Sequence, residues 1–369
     1  MSSSRPSALP HLPHDVVLLI LDHIDDTAGP STLASLARVS RSLHRKFIPL
    51  LYKSITLTQH NCSEFFYGLS PADTINEDER EEWWEEELED KKSAVARRLA
   101  MLGYVQNVRL EDFEAVTICH SAIATFLSLE LKAPPKSWYD PRKPTDDTRS
   151  RRLLFHSRIP TNVHLSSNLL DSLRTSEAPL NTKTWWIPLL QRMLRTSGVL
   201  SMEQPEGPAM PYVSRCLEPI CRQICPRLLV LDSFEEGGLG SMLSASQRGV
   251  AIRFRDVDVN SRINEQYFEA LNLISIHMRR TPKPLYYIIY NVSSKGVPVS
   301  FGVPKHKGVP VPISEKERIR VSIVSYAFVL AAQSPRQRRV KLKVVMAGVE
   351  SEVSVDKMRN DLVEFMKTG

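Results

Sequence analysis

Along most of this chain, short apolar runs with strand rhythm alternate with longer segments of helical rhythm, and that alternation constrains the fold most. Tyr104–Phe113 sets Val105, Val108 and Leu110 in an extended stretch, and a helical pattern over Ala115–Leu131 comes next. Arg227–Phe234 precedes a short helical stretch near Leu239–Ser246, and Val250–Val259 precedes Asn264–Arg280. Leu285–Val292 is strand-like, with Glu315–Ala332 helical after it; Val340–Val345 alternates cleanly and Val355–Lys367 closes as a helix. Strands separated by helices pair in parallel, because each helix carries the chain back to the start of the next strand. The expected class is α/β, with a sheet either doubly wound or solenoidal. From Arg227 to Val250 is 23 residues, inside the range of roughly 20–29 for a leucine-rich repeat. Later intervals are wider and no strict consensus recurs, so a solenoid here is irregular.

The N-terminus obeys a different rule. Residues 1–11 carry Ser, Pro and Arg without periodicity and read as a disordered tail. Pro13 suits a first helical turn, where its missing N–H has no partner to lose, and Asp15 places a negative charge at the same end. Val16–Leu21 is the longest strongly apolar run, and Ile24 extends it in helical register with Val17, Ile20 and Leu21. Gly29-Pro30 breaks the chain, Ser31 or Thr32 offers a cap, and a second helix is expected over Leu33–Phe47. Pro49 disfavours helical geometry at Ile48 and is expected to end that helix, with Leu51–Leu57 running into an extended segment. The first helix is apolar on nearly every face, whereas a helix on a self-contained core needs one stripe. So small a segment cannot bury both sides, so another surface must cover it.

These residues resemble an F-box of the fungal type. The resemblance rests on Leu12-Pro13, the apolar helix Val16–Ile24, Leu33 with Leu36, Val39-Ser40-Arg41-Ser42-Leu43, and Pro49-Leu50-Leu51-Tyr52. Ala28-Gly29-Pro30 is an insertion relative to the common pattern, and Tyr52 stands where many members carry Trp. The resemblance implies a non-catalytic adaptor that binds a Skp-family protein, and through it a cullin, and recruits a protein substrate to a ubiquitin ligase. The contact residues it implies are Leu12, Pro13, Val16, Val17, Ile20, Leu21, Ile24, Leu33, Leu36, Val39, Leu43, Leu51 and Tyr52. The C-terminal remainder of the chain resembles the leucine-rich-repeat-like regions that often succeed an F-box, above all in Cys225-Pro226 before the apolar Leu228-Leu229-Val230-Leu231. The expected organisation is a tail over 1–11, the F-box over 12–57, an acidic linker or helix over 58–98, and an irregular leucine-rich-repeat-like α/β substrate-binding domain over 99–369.

Composition narrows the compartment and the chemistry. No apolar run approaches the roughly 20 residues of a membrane span, and the N-terminus lacks the apolar core of a secretory signal. Five cysteines, Cys62, Cys119, Cys216, Cys221 and Cys225, are odd in number and scattered, so a reducing location, cytoplasmic or nuclear, is expected. The net charge of +6 conceals an acidic run, Glu77–Asp90, with ten acids and one Arg. Within it Trp83-Trp84 is a candidate partner anchor; Trp185-Trp186, flanked by Ile187, Leu189 and Leu190, reads as core. Proline-rich linkers are expected over Ala133–Asp147 and Gln204–Pro211. The basic stretch Arg336–Lys343 reads as a solvated strand edge, with nuclear targeting or a phosphate-rich partner as the alternative.

No phosphate loop, His-Glu-x-x-His zinc motif or Gly-x-Ser-x-Gly elbow occurs, and Gly237-Gly238-Leu239-Gly240 reads as a turn. Cys221 and Cys225 fall i, i+4 on a helix-like stretch near Cys216, but without further ligands these read as buried structural cysteines. No catalytic, cofactor or metal residue is assigned. Two other function classes compete: a helix-turn-helix placing Arg38, Arg41 and Arg45 on nucleic-acid phosphates, and an α/β enzyme without a recognised motif. Against the first, Asp25–Ser31 is longer than the 3–4-residue turn of that motif and carries two acids.

Overall fold

The computed structural model describes residues 13–69, 94–131, 162–175, 190, 198–204, 224–234, 248–254, 285–292, 340–346 and 353–368. The expected tail with Leu12, the acidic run with Trp83-Trp84, residues 133–147 and 205–211, Trp185-Trp186, Cys216, Cys221, the Gly237–Gly240 turn and the helices expected near 239–246, 264–280 and 315–332 lie outside them. The chain divides into two compact units, Met1–Ser54 and Ile55–Gly369.

In the first unit three helices form: α1 (His14–Thr27), α2 (Pro30–Ala37) and α3 (Arg41–Lys53). Pro13 is the residue before α1, and Gly29 precedes α2 with Pro30 at its first position, so neither Ser31 nor Thr32 caps that helix. The single helix expected over Leu33–Phe47 is two. Ser40 separates them: its backbone is extended and its Oγ accepts from Leu43 N–H at 3.2 Å, satisfying one of the amides a new helix leaves unpaired. Pro49 does not end α3, which continues to Lys53. Packing overrides the local preference there, since Phe47 and Ile48 are both buried. With Leu33 and Ala37 of α2 they make the core of this unit.

The second unit is α/β. Its strands are β1 (Ser54–Leu57), β2 (Asn107–Leu110), β3 (Asn162–Leu165), β4 (Val199–Glu203), β5 (Leu228–Phe234), β6 (Gly249–Phe254), β7 (Leu285–Val292) and β8 (Val340–Met346). They form one sheet in which neighbours in space are neighbours in sequence, and every pair from β2 to β8 is parallel. A doubly wound sheet reverses its strand order at a switch point; this one runs straight through. The division after Ser54 puts Leu57, expected in the N-terminal segment, in the second unit, where its carbonyl accepts from Glu111 N–H at 3.0 Å. Cys62, Phe66 and Leu69 are buried, so 58–69 is packed rather than linking.

The described helices of this unit are α4 (Cys62–Phe65), α5 (Ala94–Leu102), α6 (Phe113–Leu131), α7 (Ser167–Thr175) and α8 (Val355–Thr368). Helix α4 packs on α6, α6 on α7, and α7 on β4. One face of the sheet is apolar without interruption: Val108, Leu110, Val163, Leu165, Leu200, Met202, Leu229, Leu231, Val250, Ile252, Tyr287 and Ile289 are all buried. Such runs are what a parallel sheet covered by crossovers requires. On the other face, α8 crosses β5, β6 and β7. Met358 and Leu362 enter a core with Val199, Leu228, Val230, Ala251, Ile288 and Tyr290. Gly249 allows a close approach at that crossing: a Cβ there would stand 3.2 Å from Leu362 Cδ1 and 3.2 Å from the Tyr286 carbonyl oxygen.

Candidate functional site

The first unit offers an apolar surface on α1. Leu19 is 69% exposed and Ile20 44%, and beyond that helix Val39 is exposed in the turn between α2 and α3. An amphipathic helix with one partner hides such side chains; α1 carries apolar groups that the unit's core, built on α2 and α3, does not use. Of the residues named from sequence, Leu33 is buried, while Val16, Leu21, Ile24, Leu36, Leu43, Leu51 and Tyr52 are half-buried. Pro13, Ile20 and Val39 are exposed; Leu12 and the side chain of Val17 lie outside the described set. Leu19, more exposed than Ile20 on the same helix, is not among them, because helical register with Ile24 selects Val17, Ile20 and Leu21. On the polar side, Lys46 of α3 stands 3.9 Å from Asp22 of α1.

The second unit holds a different kind of surface. Residues two apart on a strand share a face. Arg109 of β2 pairs in register with His164 of β3, His164 with Ser201 of β4, and Glu203 with Asp232 of β5. With Arg253 of β6 they make a row of polar side chains on the face that carries α8. Arg109 Nε donates to the Glu111 carboxylate, and Arg109 Nη2 stands 3.5 Å from Glu203 Oε2. His164 Nε2 is 3.6 Å from the same oxygen, beyond hydrogen-bond length, and is buried without a hydrogen bond. Arg253 donates through Nε and Nη2 to the two oxygens of Asp232, the second bond at 2.8 Å. Asp232 is only 3% exposed, and this fork matches carboxylate geometry.

Charge sets the state of Glu203. The imidazole of His164 beside it, then the guanidinium groups of Arg109 and Arg253, hold its carboxyl below the usual carboxylate range, against a burial that pushes it up. At one end of the row Asn162 Nδ2 donates to Asn107 Oδ1 at 2.6 Å, and Arg359 Nη1 of α8 donates to the same oxygen at 3.2 Å. Further along, Tyr290 OH donates to Asp361 Oδ2 of α8 at 2.9 Å.

Sequence reasoning missed this row, although a signal was present. β2 reads Asn-Val-Arg-Leu and β3 reads Asn-Val-His-Leu, the same pattern with the polar residue at the same place. The two copies start at Asn107 and Asn162, too far apart for a search at repeat periods of 20–50 residues. The cysteines divide. Cys62 and Cys119 are buried, and burial pushes the Cys62 thiol up to about 12. Cys225 is half-buried and takes a left-handed backbone at φ 48°, so it does not continue a helix. Lys343 is exposed on β8, the last strand in the sheet order. Among the described residues no group of His, Cys, Asp and Glu is placed to hold a metal ion, and no helix is long and apolar enough to cross a membrane. Compared with family models, with characterised proteins and with solved structures, the chain matches none.

Proposed function

We propose that this chain is an F-box adaptor: the first unit binds a Skp-family protein, and the second selects a protein substrate for a Skp–cullin–F-box ubiquitin ligase. The observation that carries the reading is the exposure of Leu19 and Ile20 on α1. A helix of this kind is completed by a groove on another protein, which takes its apolar side chains one turn apart. Exposed apolar groups on a small unit mark a contact surface rather than a solvent face. The second unit supports the same reading by its strand order, which runs straight through a parallel sheet as it would in an irregular leucine-rich-repeat-like solenoid, an architecture whose open face and loops suit protein binding. The interval from Leu228 to Gly249 is 21 residues, near the lower end of that repeat's range. No group of this chain need transfer ubiquitin; holding substrate beside the ligase raises its effective concentration.

The test is capture of a purified Skp-family adaptor by the full chain, with Leu19→Glu/Ile20→Glu beside the wild type. Wild type should retain the adaptor and the double variant should lose it while unfolding at an unchanged temperature. An adaptor that ignores the wild-type chain removes the reading.

One observation favours a second reading. Helices α2 and α3 are joined by Arg38–Ser40, a turn of the length a helix-turn-helix requires, and Arg38 and Arg41 are exposed. Nucleic-acid binding that strengthens with falling salt and weakens on neutralising Arg38 and Arg41 would favour it over the adaptor.

A further inference from the structure

The two faces of the sheet are composed differently. The face under the crossover helices is continuously apolar, as a permanent core requires. The face under α8 is mixed: Val230, Ala251 and Ile288 are buried beneath the helix, while towards β2 Arg109 and Glu203 keep 43% and 31% of their side chains in solvent. An apolar centre with a wet polar margin is the make-up of a binding surface. No strand pairing depends on α8, which follows the last strand and leaves each parallel pair from β2 to β8 hydrogen-bonded without it. The helix also carries its own stabilisation. Ser354 Oγ accepts from Lys357 N–H at 3.2 Å, and Asp356 and Lys367 place opposite charges at the helix ends that favour them. Arg359 pairs with Asp356 at 2.9 Å, Lys357 with Asp361 at 3.3 Å and Lys367 with Glu364 at 2.6 Å, each three or four residues apart. These contacts favour the helix whether or not a sheet lies beneath it. To the sheet it presents Met358 and Leu362, one turn apart and fully buried, and Phe365, edge-on to Tyr286 at 5.7 Å between ring centres. Two polar contacts fix its register: Tyr290 OH donates to Asp361 Oδ2 at 2.9 Å, and Arg359 Nη1 to Asn107 Oδ1 at 3.2 Å.

We propose that α8 is a built-in occupant of the substrate-binding face, holding the place of an amphipathic helix of the recruited protein. The proposal rests on reading the second unit as the substrate-binding part. The displacing helix has the chemistry of α8: two apolar side chains one turn apart and a carboxylate for Tyr290 OH. Because β8 ends at Met346 and α8 begins at Val355, the tether is short, and a short tether gives an effective concentration on the order of millimolar. A substrate helix therefore binds through the fraction of molecules in which α8 has lifted, and its affinity is lowered by that fraction.

The probe is a fluorescein-labelled peptide of residues 353–368, titrated by fluorescence anisotropy into the full wild-type chain and into the full chain with Met358→Glu/Leu362→Glu, whose own helix cannot reseat. The double variant should bind the peptide at least about tenfold more tightly than wild type, because its site is vacated. Against that variant, a peptide with Asp361→Ala should lose about tenfold or more, the loss expected of a hydrogen bond to a charged group. The loss should vanish when the chain also carries Tyr290→Phe. A peptide with Glu364→Gln, a side chain that faces solvent, should bind as the parent does. Hydrogen exchange of the wild-type chain decides the matter if the double variant fails to fold: α8 amides should exchange at least about tenfold faster than those of β5, β6 and β7, through an opening that leaves the sheet protected. Equal binding by wild type and double variant, no binding by a folded double variant, an Asp361→Ala loss that Tyr290→Phe does not remove, a weakened Glu364→Gln peptide, or α8 amides as slow as those of β6 overturns the proposal. Adaptor capture by the Met358→Glu/Leu362→Glu chain reports on the first unit separately, so the two readings fail by different measurements.

Discussion

Replacing Gly249 with alanine tests whether α8 is seated on the sheet by close contact. A Cβ at this position lies 3.2 Å from Leu362 Cδ1, 3.2 Å from the Tyr286 carbonyl oxygen and 3.3 Å from Leu228 Cδ2. The leucine methyls can yield by small rotations. The carbonyl cannot, because Tyr286 is in register with Gly249 and its N–H is bonded to Arg248 O at 2.9 Å. Overpacking of this kind costs about 1–3 kcal/mol, while removing a strand glycine returns about 0.5–1 kcal/mol. The expected net loss is about 1–2 kcal/mol. Leu362 is fully buried, so Leu362→Ala alone should cost about 2–5 kcal/mol. The double variant should be less destabilised than the two losses added, by about 0.5–1 kcal/mol, since the alanine Cβ then meets space instead of a methyl. Urea unfolding followed by far-ultraviolet circular dichroism measures all three variants. If Gly249→Ala is as stable as wild type, or the losses add to within about 0.3 kcal/mol, α8 does not press on this glycine and is not seated by close contact.

Named contacts set four other outcomes. Ser40→Ala removes the cap of α3 and should cost the first unit about 1 kcal/mol, read as a lower unfolding midpoint of that unit. Arg253→Met strands the buried carboxylate of Asp232 and should destabilise the second unit by about 3 kcal/mol, whereas Arg253→Met with Asp232→Leu should recover part of that loss. Glu203, whose folded carboxyl titrates below its ordinary value of 4.5, contributes stability that is present above that value and lost as pH falls through the folded one; Glu203→Gln should flatten the acid limb of a stability–pH curve. Alkylation of the folded chain at pH 8 should spare Cys62 and Cys119, which are buried with raised thiol pKa values, and reach Cys225 before either of them, as peptide mapping would show.

The elements legible in the sequence were those whose pattern and burial agree. Leu285–Val292 is a strand end to end, Val340–Val345 lies within β8, and the closing helix is α8, because each has a long run of one period. β3 and β4 were missed because polar groups interrupt their apolar runs. β3 is four residues long with His164 as its third, and β4 ends in Ser201, Met202 and Glu203. Those same residues make the polar row, so the positions that obscured the strands are the ones that give this face its chemistry. In the first unit, α1 was readable from composition alone, while the break at Ser40 and the passage of α3 through Pro49 depend on a cap and on the burial of Phe47 and Ile48. Neither is visible in periodicity. The importance of Leu19 was hidden by a run so uniformly apolar that no face stands out.

Arg359 and Asn107 are joined although 252 residues separate them. Every parallel strand pair, by contrast, joins consecutive segments, so the sheet can be assembled one strand at a time as the chain leaves the ribosome. Such an array by itself would melt from its ends, each strand depending only on its neighbours. Helix α8 alters that: it joins β5, β6 and β7 to one apolar cluster and reaches back to β2. Among the described elements, α8 thus ties β5, β6 and β7 to one another and to β2, so that opening any one of these strands disturbs contacts shared with strands far from it in sequence.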